Sequence, residues 1–259
     1  MAQVKNQRQK SRVIHNNLTT ISIIYYTDPL CCWSWAFEPQ WRKLKFSLGN
    51  RLSYRYCMGG LISHWKTFSD SVNSISRPFQ MGSLWAQASQ QSGMPIDDKI
   101  WMTDPPATSY MACVAVNCAA LQGIEAEEKY LRKVREAVML NRSNVARKEI
   151  LFDIASDLSK EKKGFLNVDS FMLDFNSGKG TDAFKKDLQE VQYKRIQRFP
   201  SLVIQKAGAG PTIMIGYNNY EGLINAIGPD FIGPPVYIDQ NQYQNYFGNV
   251  MEREMNEIM

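Results

Sequence analysis

Residues 20–26 (TISIIYY) form an unbroken apolar run of β-branched and aromatic side chains that stops at Thr27-Asp28-Pro29. A run this short, in residues that suit a pleated surface, reads as a buried strand ending in a turn. A helical segment follows, from near Cys32 through Trp35, Ala36, Trp41 and Leu44 to a stop at Gly49-Asn50, with Pro39 inside it as an expected kink. Leu52, Tyr54, Tyr56 and Met58 then alternate with more polar residues as far as Gly59-Gly60, the period of a second strand. Strand, helix and strand in this order predict a right-handed βαβ unit, and hence a parallel pair.

Between about Leu61 and Gly164 the apolar spacing is helical. Tyr130, Leu131, Val134, Ala137 and Val138 share one face of a helix, and Ile150, Leu151, Ile154, Ala155 and Leu158 share another. Met111 to Leu121 is apolar on nearly all sides, as expected of a central buried helix. After about Thr181 the pattern is mixed again. A helix through Phe184, Leu188 and Val191 leads to Phe199-Pro200, and Ser201–Gln205 and Thr212–Ile215 read as a hairpin around Gly208-Ala209-Gly210. A helix over about Asn219 to Ile227 ends at Gly228-Pro229. The order βαβ, helices, αββα predicts an α/β fold: a four-stranded mixed sheet interrupted by an all-helical insertion. The expected division is a mobile basic tail over 1–17, a sheet domain from 18–61 plus 181–228, a helical domain over 62–180 and a C-terminal tail over 229–259. That tail is rich in Tyr, Gln and Asn, and either wraps the body or serves self-association.

Composition removes several function classes. The formal charge is +5, but Lys5, Arg8, Lys10 and Arg12 supply +4 within the first seventeen residues, leaving the body near neutral. Neither nucleic-acid binding nor membrane association is expected: the basic run is short, and no stretch approaches the roughly 18 apolar residues that span a bilayer. Without an apolar leader the expected location is cytoplasmic. Five cysteines are too few for a disulfide framework and odd in number. Cys57, Cys113 and Cys118 fall on apolar strand and helix positions and read as core thiols. No metal site is expected: Cys113 and Cys118 are spaced poorly for ligation on a helix, and His15 and His64 have no acidic or thiol cluster nearby.

The chemistry concentrates in Asp28-Pro29-Leu30-Cys31-Cys32-Trp33-Ser34-Trp35, where the first strand turns into the first helix. A helix N-terminus offers free N–H groups and a positive dipole end, so Cys31 is expected to lean toward the thiolate there. Ser34 is placed to donate a hydrogen bond to that sulfur. Trp33 flanks the nucleophile as a candidate wall of a substrate groove, and Phe199-Pro200 directly precedes the third strand.

These residues resemble the DsbA-like branch of the thioredoxin superfamily, particularly the FrnE-like proteins. Asp28, Pro29, Cys31, Trp33, Trp35, Pro39 and Pro200 stand where such proteins carry D-P-x-C-x-W-C-W, a proline eight residues on, and a cis-proline before the third strand. The resemblance covers roughly Ile21 to Ile227 and implies a thioredoxin-like fold, thiol-disulfide oxidoreductase or isomerase activity, and thiol- or disulfide-containing protein or peptide substrates. It implies Cys31, Cys32 and Ser34 as the reactive set, with Trp33, Phe199 and Pro200 contacting substrate. No resident cofactor is implied; glutathione enters at most as a co-substrate. One departure stands out. The family's second cysteine, three residues after the first, is Ser34 here, and the extra cysteine is Cys32. Adjacent Cα atoms lie about 3.8 Å apart, below the roughly 4.4 Å lower limit of ordinary disulfides, so Cys31 and Cys32 make a poor pair. Two other functions fit the same residues: a catalytically retired binding or protease-adaptor protein, and a kappa-type glutathione transferase or isomerase, a type that generally carries serine where Cys31 stands.

Overall fold

The computed structural model describes residues 21–161, 165–229 and 237–259. The basic run over 1–17, His15 and the start of the C-terminal tail at 230–236 lie outside them. Four strands form one sheet in the order β2-β1-β3-β4. Strand β1 (Ile21–Thr27) runs parallel to β2 (Leu52–Met58), with Ile21 opposite Leu52 and Thr27 opposite Met58. Strand β3 (Ser201–Lys206) is antiparallel to β1 and to the edge strand β4 (Thr212–Ile215). β1 is central, paired on both edges, which suits its continuous apolar run. The parallel pair and the hairpin match the periodicity of the sequence.

The first helical segment is two helices: α1 (Cys32–Ala36) and α2 (Glu38–Leu48), joined at Phe37. The expected kink at Pro39 is therefore a break, because proline sits comfortably in the first turn of a helix and Pro39 lies in that of α2. On one face of the sheet, Tyr25 and Tyr56 both pack edge-on against Trp41 of α2, whose indole N–H donates to the Tyr56 hydroxyl at 3.0 Å. All three side chains are buried.

The middle of the chain is helical: α3 (Met81–Ser92), α4 (Ile100–Thr103), α5 (Tyr110–Ala120), α6 (Ile124–Asn141), α7 (Lys148–Glu161), α8 (Val168–Asn176) and α9 (Lys179–Tyr193). Helix α5 is the buried centre of this layer, contacting α6, α7, α8 and α9. Trp65, Trp85 and Trp101 pack edge to face in it. Helix α10 (Tyr220–Ile227) returns to α2 and the β3–β4 hairpin. The last two helices, α11 (Gln240–Phe247) and α12 (Glu252–Ile258), lie on the body, so the described part of the C-terminal tail wraps; α12 packs along α2.

The join between the tail and the body is ionic. Glu254 of α12, fully buried, meets Arg42 of α2 at 3.1 Å and Arg132 of α6 at 2.9 Å. Glu38 takes Arg42 at 3.3 Å, Arg135 at 2.9 Å and Arg132 at 3.8 Å, and Glu136 takes Arg132 at 2.7 Å. Three arginines are thus balanced by three glutamates, out of water. Removing one member of such a set leaves a buried charge unpaired. Glu254→Ala is expected to cost on the order of 3–5 kcal/mol in urea unfolding. A loss within about 0.5 kcal/mol would show that α12 is held by its apolar contacts alone.

Candidate functional site

Cys31 is the N-cap residue of α1, in extended conformation (φ −78°, ψ 105°). Its sulfur accepts from the Ser34 backbone N–H at 3.4 Å and lies 3.3 Å from the Phe199 carbonyl, to which a thiol donates. The Phe199–Pro200 peptide bond is cis. Strand β1, the start of α1 and the loop before β3 thus converge on one sulfur. Trp33 projects from the first turn of α1, half-buried, with its ring 5.9 Å from Tyr217. The tip of the Phe199 ring abuts Gly59, where even a methyl group would overlap it. Next to Gly59, Gly60 faces an apolar groove of about 400 Å³ lined by Tyr110, Met111, Val114, Phe184 and Leu188.

Cys32 points elsewhere. Its side chain enters the core between α1 and α3, with the sulfur 3.9 Å from the Leu84 carbonyl, and burial pushes its thiol well up. Trp35 is also a core residue: its indole N–H donates to the Pro95 carbonyl and its ring lies under the Arg132 guanidinium at 4.5 Å. The Ser34 hydroxyl is buried and makes no hydrogen bond of ordinary geometry, although it lies close enough to oppose the rise in the Cys31 pKa.

That rise runs against the thiolate expected at a helix N-terminus. Cys31 is only 5% exposed, and burial pushes its thiol up. The Ser34 hydroxyl and N–H work against the shift, Asp28 adds to it, and Arg135 opposes it. Desolvation wins because α1 spans only five residues and its first turn is closed over by the Phe199 loop.

Asp28 belongs to the motif already read in the sequence, but the contacts it makes, and Arg135 beside it, carry no obvious signal there. Asp28 is fully buried and accepts from the Leu30 N–H (2.8 Å), the Leu61 N–H (2.6 Å), the Ser109 hydroxyl (2.8 Å) and the Cys113 thiol (3.3 Å). It ties the turn after β1 to the turn after β2 and to α5, and burial pushes its own pKa up. Cys113 is therefore a core thiol with a polar task. Arg135 reaches from α6 to the Thr27 hydroxyl and Glu38. The one available clue was two arginines, Arg132 and Arg135, on the apolar face of a helix. Among the described residues no group of three or more His, Cys, Asp or Glu side chains could hold a metal ion, and no helix is long and apolar enough to cross a membrane.

The family model described as thioredoxin matches residues 25–223. The chain belongs to the thioredoxin family. Among curated relatives it is similar to the ClpXP adapter protein SpxH of Halalkalibacterium halodurans, 29% identical over 198 residues that cover 76% of this chain and 61% of that protein. SpxH of Bacillus subtilis is 27% identical over 171 residues, covering 65% of this chain and 53% of that one. The chain thus spans about three fifths of the length of the relatives it matches. Among solved structures, a Nitrosomonas europaea protein, provisionally assigned as a disulfide isomerase, superposes with a TM-score of 0.65 at 21% identity, covering 80% of this chain and 96% of that one. The cytosolic disulfide reductase DsbM of Pseudomonas aeruginosa gives a TM-score of 0.59 at 15% identity, covering 82% and 95%. The thioredoxin-like fold, with DsbA-like oxidoreductases as structural neighbours, is as the motif implied.

Asp28→Asn puts an amide donor where only acceptors are wanted, and is expected to cost about 1–3 kcal/mol of stability. It also removes a negative charge that raises the Cys31 pKa, so the pH at which Cys31 becomes alkylated should move down relative to wild type. An unchanged or higher midpoint in a folded variant would contradict this electrostatic account.

Proposed function

We propose that this chain is a protein-binding member of the thioredoxin family, adapter-like in action, which keeps Cys31 as a reduced, buried thiol just beneath a partner-facing surface. The reading rests on the direction of Cys32: with its sulfur against the Leu84 carbonyl and Ser34 in the family's second-cysteine position, no second thiol faces Cys31 to close a redox cycle. Burial of Cys31, which disfavours the nucleophilic thiolate, supports the same conclusion. So does the similarity to proteins named ClpXP adapter SpxH, from which we carry over the kind of partner, another protein. Trp33 and Phe199, both half-buried, then border the face that meets it, with Pro200 buried behind them and the Phe199 carbonyl free for an extended segment only if the Cys31 thiol releases it. Five free cysteines suit a reducing compartment, and we place the protein in the cytoplasm.

A second reading is monothiol exchange, favoured by the Ser34 N–H on the Cys31 sulfur. The Cys31 thiolate would attack one sulfur of a substrate disulfide and expel the other as a thiolate, giving a mixed disulfide. Glutathione thiolate would then attack the substrate's sulfur in that mixed disulfide and release Cys31.

The two readings separate in one comparison. With glutathione disulfide at pH 7, wild type should form the Cys31 adduct more slowly than free cysteine does, and Cys31→Ser should retain the same bound proteins in affinity capture. Faster adduct formation than free cysteine, with partners lost in Cys31→Ser, would reject the binding role in favour of exchange.

A further inference from the structure

The two faces of the sheet are covered unequally. One carries α1, α2 and α10. On the other, α9 and the segment after it cover the β2–β1 half, where Val191, Ile196 and Phe199 pack on Tyr26 and Cys57. Strand register sets two rows across this face: Arg55, Ile24, Val203 and Ile213, then Cys57, Tyr26, Ser201 and Ile215. The rows run off the covered half. Ile213 and Ile215 are 52% and 62% exposed on the edge strand β4. An apolar pair of this kind on an open edge is an invitation to association.

Beside it lies a turn that is basic and apolar by design of its neighbours rather than of its own helix. After α9 come Tyr193, Lys194, Arg195, Ile196, Gln197 and Arg198. Ile196 is buried in the sheet face, while Tyr193 (81%), Lys194, Arg195 and Arg198 are exposed. Arg195 holds a left-handed conformation, φ 54°. Lys194 lies 5.7 Å over the Tyr193 ring and acts on Glu190, one turn back, only at longer range, that carboxylate being taken by Arg55 and the Tyr26 hydroxyl; among the described residues none of the three cations forms an ion pair. The turn is pinned at the end of β4: the Ser201 hydroxyl donates to the Arg198 carbonyl, the Gly216 N–H donates to the Pro200 carbonyl, and Ser201 stands opposite Ile215.

We propose that the open β3–β4 face is a docking surface for an acidic segment of a partner protein, which lays apolar side chains on Ile213 and Ile215 and sets carboxylates against Lys194, Arg195 and Arg198. Charge selects the occupant. A second copy docked by a two-fold contact would bring these three cations against their own counterparts. Residues 1–17 carry four cations and no acid, the wrong sign as well. The proposal rests on the protein-binding reading and adds the chemistry of the partner and a surface separate from the thiol.

The test uses the full chain and a labelled synthetic peptide alternating isoleucine with glutamate, beside its lysine counterpart, read by fluorescence anisotropy. The glutamate peptide should bind, several-fold more weakly as salt is raised. Ile213→Ser with Ile215→Ser should weaken it about tenfold, and Lys194→Glu with Arg195→Glu and Arg198→Glu should shift preference to the lysine peptide. All these positions are exposed, so circular dichroism should be unchanged. Cys31→Ser should bind as wild type does, which separates this surface from the thiol face; the capture comparison above can fail while this one succeeds. Equal binding of both peptides, indifference to the substitutions, loss in Cys31→Ser, or a wild-type dimer dissolved by Ile213→Ser would each overturn the proposal.

Discussion

A single carboxylate, Glu38, sits among three guanidinium groups from α2 and α6, and much of the molecule is positioned by that fact. Burial would raise its pKa, but Arg135, Arg42 and Arg132 together outweigh desolvation and hold it below the ordinary carboxylate range. Arg135 carries the arrangement to Thr27 at the end of β1, and Arg132 lies over Trp35 of α1. Glu254 completes it from the C-terminal helix. Three cations and three anions out of water can be paired in few ways, so the set restricts where α2, α6 and α12 can sit. The part that Glu38 contributes is present above the unfolded carboxylate pKa and is lost as pH falls through its depressed folded value.

The thiol is at the other end of this arrangement and is governed by the opposite balance. Cys31 has a hydrogen-bonding N–H and a helix end in its favour, and Arg135 at longer range. Against these stand full desolvation and the Asp28 charge, whose carboxylate is needed to join two turns and α5. The same Asp28 that organises the site therefore makes it less reactive. A chain built this way can keep a thiol beneath its binding face without readily spending it in chemistry, which agrees with Cys32 facing Leu84 and not Cys31.

The strands and their pairing were legible because period-two alternation and the β1 run admit few other readings. The turn into α1 was legible from the stop at Thr27-Asp28-Pro29, which pointed to Cys31 and Trp33, whereas Phe199 and Pro200 entered through their place before the third strand and the family resemblance. What the sequence concealed depends on tertiary approach. Nothing local separates a Cys32 facing Cys31 from one facing Leu84, since α1 is barely longer than one turn. Nor does Glu254, one of three acids in the last eight residues, reveal that it alone of them reaches Arg42 and Arg132. Pro39 was readable only to within two residues: a proline interrupts a helix or opens one, and Phe37 decides which. The sign of the Cys31 shift was misread because helix-end electrostatics can be inferred from sequence and burial by a distant loop cannot.

The most direct test of this account is the rate of Cys31 alkylation by iodoacetamide as a function of pH, measured at the level of the Cys31 peptide by mass spectrometry. The account predicts a half-maximal rate above the ordinary thiol value of about 8.5. A half-maximal rate at or below pH about 7.5 would mean that the helix end prevails over burial. The site would then be a poised nucleophile, contrary to the binding role argued from its geometry.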